Sequence, residues 1–314
     1  MFLVIYGLTI WPSWKLLARL IAQSASKQKL TWRFWSDIVM YRLLIAAPYV
    51  FLLFAGNDIL SDLLKSIIVG VLVFGIIFFF IRLFLRDNVV GFLWYIYGYT
   101  YDGLLYFYPY NHLLKIVSKV AEKQTQDGPI LELGSGTGNM IVVLRPLVAE
   151  TQITGVDMSV SMTAIARKKL SSDANTAIIQ DDALAYLARQ QSKSFEVIVL
   201  QNSLYAIADR NELWRQLRRV VKDKGSVVVS NSDRPGSGSI IKEHLRHDTF
   251  LKLLHPKLLA VGIIDMFISQ FSQSGVFSFL TEEQIREETS AAFEMSETQR
   301  VYGDVNILFI LTPR

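Results

Sequence analysis

A short apolar stretch that runs directly into three alternating glycines constrains the fold of this 314-residue chain more than any other feature. Ile130–Leu133 is followed by Gly134, Gly136 and Gly138. Glycine adopts left-handed turns and lets the backbone approach a ligand closely. The pattern therefore predicts a strand, a ligand-binding loop and a helix, in that order.

Short apolar runs and helical stretches alternate from residue 127 onward. The predicted strands are Ile130–Leu133, Ile153–Val156, Ala177–Gln180, Val197–Leu200 and Ser226–Ser230. The predicted helices are Met140–Ala149, Val160–Leu170, Leu184–Gln190 and Asn211–Val221. This alternation predicts an α/β fold, with a parallel sheet, helices on both faces and ligands at the carboxyl ends of the strands.

The spacing of the glycines distinguishes between two kinds of ligand. A dinucleotide-binding loop of the G-x-G-x-x-G type would need glycine at position 139, where this chain has Asn139. Glu132 precedes the loop, and a carboxylate there suits a cationic ligand better than a pyrophosphate. The loop therefore argues against NAD or FAD.

Two further strand ends carry acidic motifs. Gly155-Val156-Asp157-Met158-Ser159 ends the second predicted strand, and Gln180-Asp181-Asp182-Ala183 ends the third. With these motifs, residues 101–314 resemble the class I S-adenosylmethionine (SAM)-dependent methyltransferases. The resemblance implies a doubly wound, seven-stranded Rossmann-like sheet whose last strand, near Val305–Leu311, is antiparallel. It also implies SAM as the cofactor.

The resemblance assigns roles to individual residues. Asp157 would bind both ribose hydroxyls, Met158 would pack on the adenine, and Asp182 would meet the adenine amino group. Asp181 is the alternate for that contact, and helix capping is the alternative role for both aspartates. The full predicted cofactor set is Glu132, Gly134, Ser135, Gly136, Gly138, Asp157, Met158, Asp181, Asp182 and Gln201.

Candidate catalytic residues follow the fourth strand and lie in an insertion over about residues 231–278. Asn202 and Tyr205 stand where the family faces the methyl group. His244 is a candidate general base, although a packing or surface role is the default for a histidine. His244 and His247 are too sparse a pair to predict a metal site. A run over residues 258–267 suits either a bilayer or an ordinary core.

Two apolar windows of 19 residues each, Ile38–Gly56 and Ile67–Leu85, precede the catalytic region. A helix of that length nearly crosses a hydrocarbon core of about 30 Å. We therefore predict a helical membrane-anchoring region over residues 1–100 and a catalytic domain over residues 101–314. Buried core helices are the alternative, and Pro48 also permits a re-entrant hairpin.

Charge and aromatic residues around these windows predict the orientation. Lys and Arg concentrate before the first window and after the second, which favours a cytoplasmic location for both termini and the catalytic domain, at the cytoplasmic (inner) membrane. The aromatic stretch from Phe92 to Tyr110 suits the membrane–water boundary, and also suits a lid over the active site. The net charge of +4 comes without a long basic run in the second half, so we expect no nucleic-acid partner. The chain has no cysteine, which excludes disulfides and thiolate metal sites.

The leading hypothesis is a membrane-anchored methyltransferase acting on a lipid or lipid-soluble acceptor, such as a phospholipid head group or an isoprenoid quinone. One alternative is a tethered methyltransferase of a soluble small molecule or a protein. Another is an inactive SAM-binding scaffold. The sequence predicts no oligomeric state.

Overall fold

The computed structural model describes residues 89–233, 238–262, 264 and 279–314. The predicted spans Ile38–Gly56 and Ile67–Leu85 lie outside these residues. Within the described part of the chain, no helix is both long and apolar enough to cross a bilayer. Apart from residues 89–92, the described residues belong to one compact unit, Leu93–Ile264 and Phe277–Arg314. The domain boundary near residue 100 stays a prediction.

The strands of the described residues form a single seven-stranded sheet. They are β1 (Ile130–Leu133), β2 (Ile153–Asp157), β3 (Thr176–Gln180), β4 (Phe195–Gln201), β5 (Val221–Ser232), β6 (Phe293–Val301) and β7 (Asn306–Pro313). Their order is β3-β2-β1-β4-β5-β7-β6. The first five strands are parallel, and β7 is antiparallel to both of its neighbours. The predicted sheet, with its antiparallel last strand, is confirmed.

Helices connect the strands at nearly the predicted positions. They are α1 (Val89–Tyr101), α2 (Tyr108–Gln124), α3 (Asn139–Leu144), α4 (Val160–Lys169), α5 (Ala183–Arg189), α6 (Arg210–Val220), α7 (Gly238–His247), α8 (Phe250–Leu253) and α9 (Glu282–Thr289). A 3-10 turn, Asp102–Tyr106, links α1 to α2, and residues 256–262 are also helical. The helix predicted over Met140–Ala149 ends early, at Leu144, because Pro146 lacks the N–H that would continue it.

Side-chain caps fix several helix starts. The Asp182 side chain accepts a hydrogen bond from the Ala185 N–H at the start of α5, and Thr281 forms a capping box with Gln284 at α9. The sequence Leu280-Thr281-Glu282-Glu283 predicts a helix start capped by Thr281, and the structure confirms it.

The central strands explain why the sequence reads as continuous apolar runs. Val197, Ile198, Val199 and Leu200 of β4 are all completely buried, because helices cover both faces of the sheet. The strand order runs from β1 through β2 to β3 on one side of the sheet, and from β4 to β5 on the other side. It therefore reverses between β1 and β4, which makes this boundary the switch point of the fold.

Several loops meet at the carboxyl edge of this sheet. The segments after β1, β2, β3 and β4 leave there because these strands are parallel. Ser232 at the end of β5 pairs with Asn306 at the start of β7, which brings the β6–β7 turn to the same edge. The insertion after β5 therefore begins beside the candidate site.

Candidate cofactor and acceptor site

The glycine loop after β1 is held against the end of β2. The N–H groups of Gly134 and Ser135 both donate to the Val156 carbonyl, at 2.8 and 3.0 Å. Gly134 has a φ of 73°, and an added Cβ there would lie 2.4 Å from the Cβ of Ser203. A side chain at position 134 would thus be strained and would clash with the segment after β4.

Asp157, at the end of β2, is fixed through both carboxylate oxygens. Its Oδ2 accepts from the Gly136 N–H at 2.9 Å, and its Oδ1 accepts from the Ser159 N–H at 2.8 Å. Burial raises the pKa of Asp157, while these two backbone donors lower it. Each carboxylate oxygen keeps further acceptor capacity, so this side chain can receive a pair of hydroxyl groups.

Glu132 of β1 is a buried carboxyl group, 2% exposed. Burial, and then the negative charge of Asp157, raise the pKa of Glu132 well above its usual range. Within the described residues its Oε2 has no hydrogen-bond partner. A buried acid of this kind requires a compensating donor or cation, and a cationic ligand would supply one.

The end of β3 contributes two aspartates with local partners. Asp181 accepts from the Asp182 N–H at 3.0 Å and forms an ion pair with Arg189. Asp182 uses its Oδ1 to cap α5, at 2.9 Å from the Ala185 nitrogen. Helix capping, the alternative role predicted for these two aspartates, is therefore observed at Asp182. Met158 is 56% exposed directly after Asp157, which leaves its side chain available to pack on a ligand.

The end of β4 carries a strained polar residue. Asn202 has a φ of 53°, its N–H donates to the Ser230 carbonyl, and its Oδ1 accepts from the Asn306 Nδ2 at 2.5 Å. The completely buried Asn306 also donates to the Ser230 hydroxyl at 2.9 Å. Sequence reasoning missed Asn306, and its only signal was an asparagine at the head of an apolar strand. Next to this network, the Gln201 Oε1 has no partner among the described residues.

Aromatic side chains lie on the other side of the site. Tyr101, at the end of α1, places its Cε1 atom 3.7 Å from the position of a Cβ added to Gly136. Burial raises the pKa of Tyr101, and the phenols of Tyr110, Tyr205 and Tyr302 raise it further. Four phenols from distant segments therefore share this region, and burial raises the pKa of Tyr110 to about 12. Tyr205 stacks on Phe279 with ring centroids 5.2 Å apart.

The aromatic stretch over residues 94–110 packs on the cofactor side of the site. The hydroxyls of Ser159 and Ser161 donate to the carbonyls of Trp94 and Tyr95, at 3.3 and 2.7 Å. Asp102 accepts from the Thr137 hydroxyl at 2.7 Å and forms an ion pair with Lys169 at 3.0 Å. These contacts hold the stretch beside the cofactor loop, and its role as a lid stays a prediction.

His244 is not placed as a general base. Its Nδ1 accepts from the Tyr108 N–H at 3.1 Å, and its Nε2 lies 3.1 Å from the Thr249 carbonyl, to which it donates. The ring is completely buried and stacks on Phe107. With both nitrogens bound to backbone, His244 joins α7 to the start of α2 rather than facing an acceptor. Among the described residues, no group of His, Asp and Glu side chains could hold a metal ion.

Residues 130–225 match a family model described as a methyltransferase domain. This stretch holds the glycine loop, Glu132, Asp157 and the end of β4. The chain carries a SAM-dependent methyltransferase domain.

Two relatives each match about half of this chain. A demethylmenaquinone methyltransferase of Thermotoga maritima is 28% identical over 158 residues, which is 50% of this chain and 66% of that protein. The ubiquinone/menaquinone biosynthesis C-methyltransferase UbiE of Geotalea daltonii is 23% identical over 184 residues, which is 56% of this chain and 74% of that protein. The match thus spans slightly less than two thirds of the Thermotoga protein. The CurJ carbon methyltransferase structure is 16% identical, with a TM-score of 0.50, over 91% of this chain and 72% of that one, which shows the fold alone.

The residues of the methyltransferase domain fit SAM. The buried Oε2 of Glu132 and Oε1 of Gln201 can both accept hydrogen bonds from a cationic group such as the ammonium of the methionine part. Asp157, anchored by two backbone donors, suits the ribose diol. The fit thus rests on buried acceptors that the described protein leaves without partners.

Proposed function

We propose that the protein transfers the methyl group of SAM to a ring carbon of a lipid-soluble quinone in its reduced form. The main support is that a cofactor-binding loop with carboxylates and backbone N–H groups lies beside a cluster of aromatic side chains. The names of the two relatives, a demethylmenaquinone methyltransferase and a ubiquinone/menaquinone biosynthesis C-methyltransferase, support this acceptor class.

The residues on the cofactor side of the site bind SAM and orient it. Glu132 and Gln201 would receive the methionine ammonium, and Asp157 would receive the ribose hydroxyls. The positive charge would also bring the pKa of Glu132 back down, because an opposite charge favours the ionised carboxylate. Bound SAM supplies a methyl group on a sulfonium whose sulfur leaves as a neutral thioether. The ring carbon forms its bond to the methyl group as the carbon–sulfur bond breaks, and it then loses its hydrogen as a proton to a water molecule. The protein therefore contributes mainly position, and the exclusion of water during the transfer itself.

The acceptor side suits a flat, largely apolar ring. The stacked Tyr205 and Phe279 rings present aromatic surface, and offset stacking on such rings stabilises planar ligands. Asn202 faces the same edge with its Oδ1 bound by Asn306, so its amide N–H groups can donate to a ring oxygen. Tyr101 lies over the glycine loop, where it would keep water from the transferring methyl group.

A phospholipid head group fits this side less well. Its phosphate would favour cationic partners, whereas the described residues that we place around the acceptor are phenols, a phenyl ring and carboxamides. A lipid-soluble quinone also agrees with the membrane spans predicted over residues 38–56 and 67–85 and with their cytoplasmic orientation, which are part of this proposal.

Methyl transfer by the purified full chain tests the proposal. The chain in detergent would be given SAM labelled in the methyl group and, separately, a reduced demethylated naphthoquinone, phosphatidylethanolamine or a soluble catechol. We expect label in the quinone, with mass spectrometry placing it on a ring carbon. Asp157→Ala serves as the inactive control. Label in phosphatidylethanolamine or in the catechol would show that the quinone is not the acceptor. SAM binding without transfer to any of the three compounds would favour the scaffold hypothesis.

A further inference from the structure

The helices of the insertion after β5 have apolar residues on two faces. Their inner face packs on the domain: Ile240 and His244 of α7 are buried, and His244 is bound to the backbone at Tyr108. Val261 is buried as well. An ordinary surface helix carries polar residues on its other side.

Their exposed side also carries apolar residues, between the charged ones. Six large side chains on it are between 41% and 75% exposed: Ile241, Leu245, Phe250, Leu251, Leu254 and Leu259. Ile241 and Leu245 are one helical turn apart on α7, and Phe250 and Leu254 are separated in the same way. We call these six residues the insertion face. Exposed apolar residues clustered in this manner mark a site of interaction.

The insertion face continues onto the 3-10 turn between α1 and α2. Tyr106 stacks on His255 with ring centroids 3.6 Å apart, next in sequence to Leu254. Leu105 and Tyr106 are themselves 40% and 43% exposed. The turn and the insertion therefore form one continuous surface.

The charges around the insertion face indicate what it contacts. Residues 238–262 carry four cations, Lys242, Arg246, Lys252 and Lys257, against Glu243 and Asp248. Lys242 and Arg246 are exposed directly beside Ile241 and Leu245. Exposed apolar side chains flanked by Lys and Arg are typical of elements that lie in the interface of an anionic bilayer.

The course of the chain points to the same partner. The apolar run Ile67–Leu85 ends shortly before α1 begins at Val89, and α1 leads into the turn that carries Leu105 and Tyr106. The insertion itself leaves β5 at the carboxyl edge, where Gly303 of the β6–β7 turn packs against Ile240. A bilayer on the insertion face would therefore be close to the acceptor side.

We propose that the insertion face lies in the interface of an anionic bilayer, and that a lipid-soluble acceptor passes from there to the site. The second half of this inference rests on the proposed function, whereas the docking itself does not.

Fluorescence quenching tests the docking in the full chain, which has no cysteine of its own. Leu251→Cys would carry an environment-sensitive dye, and Ser192→Cys, exposed in the loop before β4 at the amino edge of the sheet, is the matched control. Both would be placed in phosphatidylglycerol nanodiscs containing lipids spin-labelled near the head group. We expect at least about threefold stronger quenching at position 251, with a blue-shifted emission. Equal quenching at the two positions would overturn the docking.

A charge variant and an activity assay separate this inference from the proposed function. Adding Lys242→Glu and Arg246→Glu to the labelled Leu251→Cys chain should weaken quenching in the anionic discs. Unchanged quenching would contradict the anionic partner. Transfer to a short-chain, water-soluble quinol in detergent reports on the proposed function alone. Transfer without quenching overturns only the docking, and quenching without transfer overturns only the function.

Discussion

Different chemical groups line the two halves of the site at the carboxyl edge of the sheet. Beside β1, β2 and β3, the site consists of backbone N–H groups and carboxylates whose partners are close in sequence, such as Asp157 with Gly136 and Ser159. Beside β4, β5 and β7, the acceptor part consists of the Tyr205 and Phe279 rings and of carboxamides brought together from distant segments, such as Asn202 with Asn306. Two side chains cross this division: Tyr101 lies over the glycine loop, and Gln201 of β4 is assigned to the cofactor. The first half is a compact binding motif, and the second depends on the assembly of the whole domain.

This difference suggests a division of labour. A cofactor common to many enzymes needs a fixed cradle, whereas an acceptor is chosen by the side chains that line its part of the site. Changes on the cofactor half should therefore alter SAM binding, and changes on the acceptor half should alter turnover with SAM binding preserved. The following predictions test that separation.

The largest effect is expected for Asp157→Ala. It removes two charge-assisted hydrogen bonds to the ribose, each contributing about 1.5–3 kcal/mol, so SAM affinity should fall by about 100-fold or more. Isothermal titration of SAM measures this loss. Asp223→Ala, which removes an exposed carboxylate paired with Lys193, should leave the affinity unchanged. Retained affinity in the Asp157 variant would contradict the cofactor half of the comparison.

Next in size is the cost of a side chain in the loop between the two halves. Gly134→Ala combines a φ of 73° with a Cβ 2.4 Å from Ser203, so unfolding free energy should fall by about 2–3 kcal/mol. Gly238→Ala is the matched variant, because no atom of the residues that the structure describes lies within 4 Å of its added Cβ. It should be neutral or slightly stabilising. Denaturant titration compares the two, and equal stabilities would show that the loop does not need glycine at position 134.

Asn306→Leu should slow turnover without weakening SAM binding. It removes the donor to Asn202 and to Ser230, which we expect to lower kcat about tenfold, since each hydrogen bond contributes about 1 kcal/mol. Asn231→Leu is the control, because Asn231 is equally buried but donates to the Leu280 carbonyl instead. Steady-state kinetics with the quinol measures both. A similar kcat in the two variants would remove Asn306 from the acceptor half.

The smallest effect is expected for Glu132→Gln, about fivefold in SAM affinity at neutral pH, as a neutral partner replaces a charged one. The pKa of Glu132 is raised by burial, so the folded protein retains this proton to higher pH than the unfolded chain does. Stability without SAM therefore falls as pH rises through the raised pKa, and the variant should escape this loss. The melting temperature of the variant should therefore exceed that of wild type increasingly as pH rises through this raised pKa, and the difference should be smallest in acid.

SAM binding should follow the opposite trend with pH. Wild-type affinity should weaken as pH falls and Glu132 becomes protonated, and Glu132→Gln should flatten this dependence. Titrations across the acidic range measure the slope. A slope that the substitution leaves unchanged would mean that Glu132 does not face the cation.

The sequence predicted the first half of the site because its signals are local. A strand, a glycine loop and an acid at the next strand end determine one another over a few tens of residues, and their alternation with helices predicts a parallel sheet. The cap at Thr281 is local in the same sense, since its partner Gln284 is three residues away. The strand β6, Phe293–Val301, was not located, because its sequence FEMSETQRV has no clear apolar alternation.

The second half depends on contacts that no local pattern contains. Asn306 meets Asn202 across 104 residues, and His244 meets Tyr108 across 136. For this reason the sequence left His244 open as a candidate general base beside the default packing role, whereas the structure shows it bound on both nitrogens. The reverse holds at Asp182, where the local capping role is present and the contact with adenine stays a prediction.

The most direct test follows the methyl group of SAM in a cell lysate. Lysate from cells that express the full chain would be incubated with SAM labelled in the methyl group, then separated into lipids, proteins and soluble compounds. The account predicts that label appears in a lipid-extractable quinone, with a mass higher by one methylene group, and that Asp157→Ala abolishes it. Label that depends on Asp157 but resides in a protein, a phospholipid or a soluble compound would contradict the account.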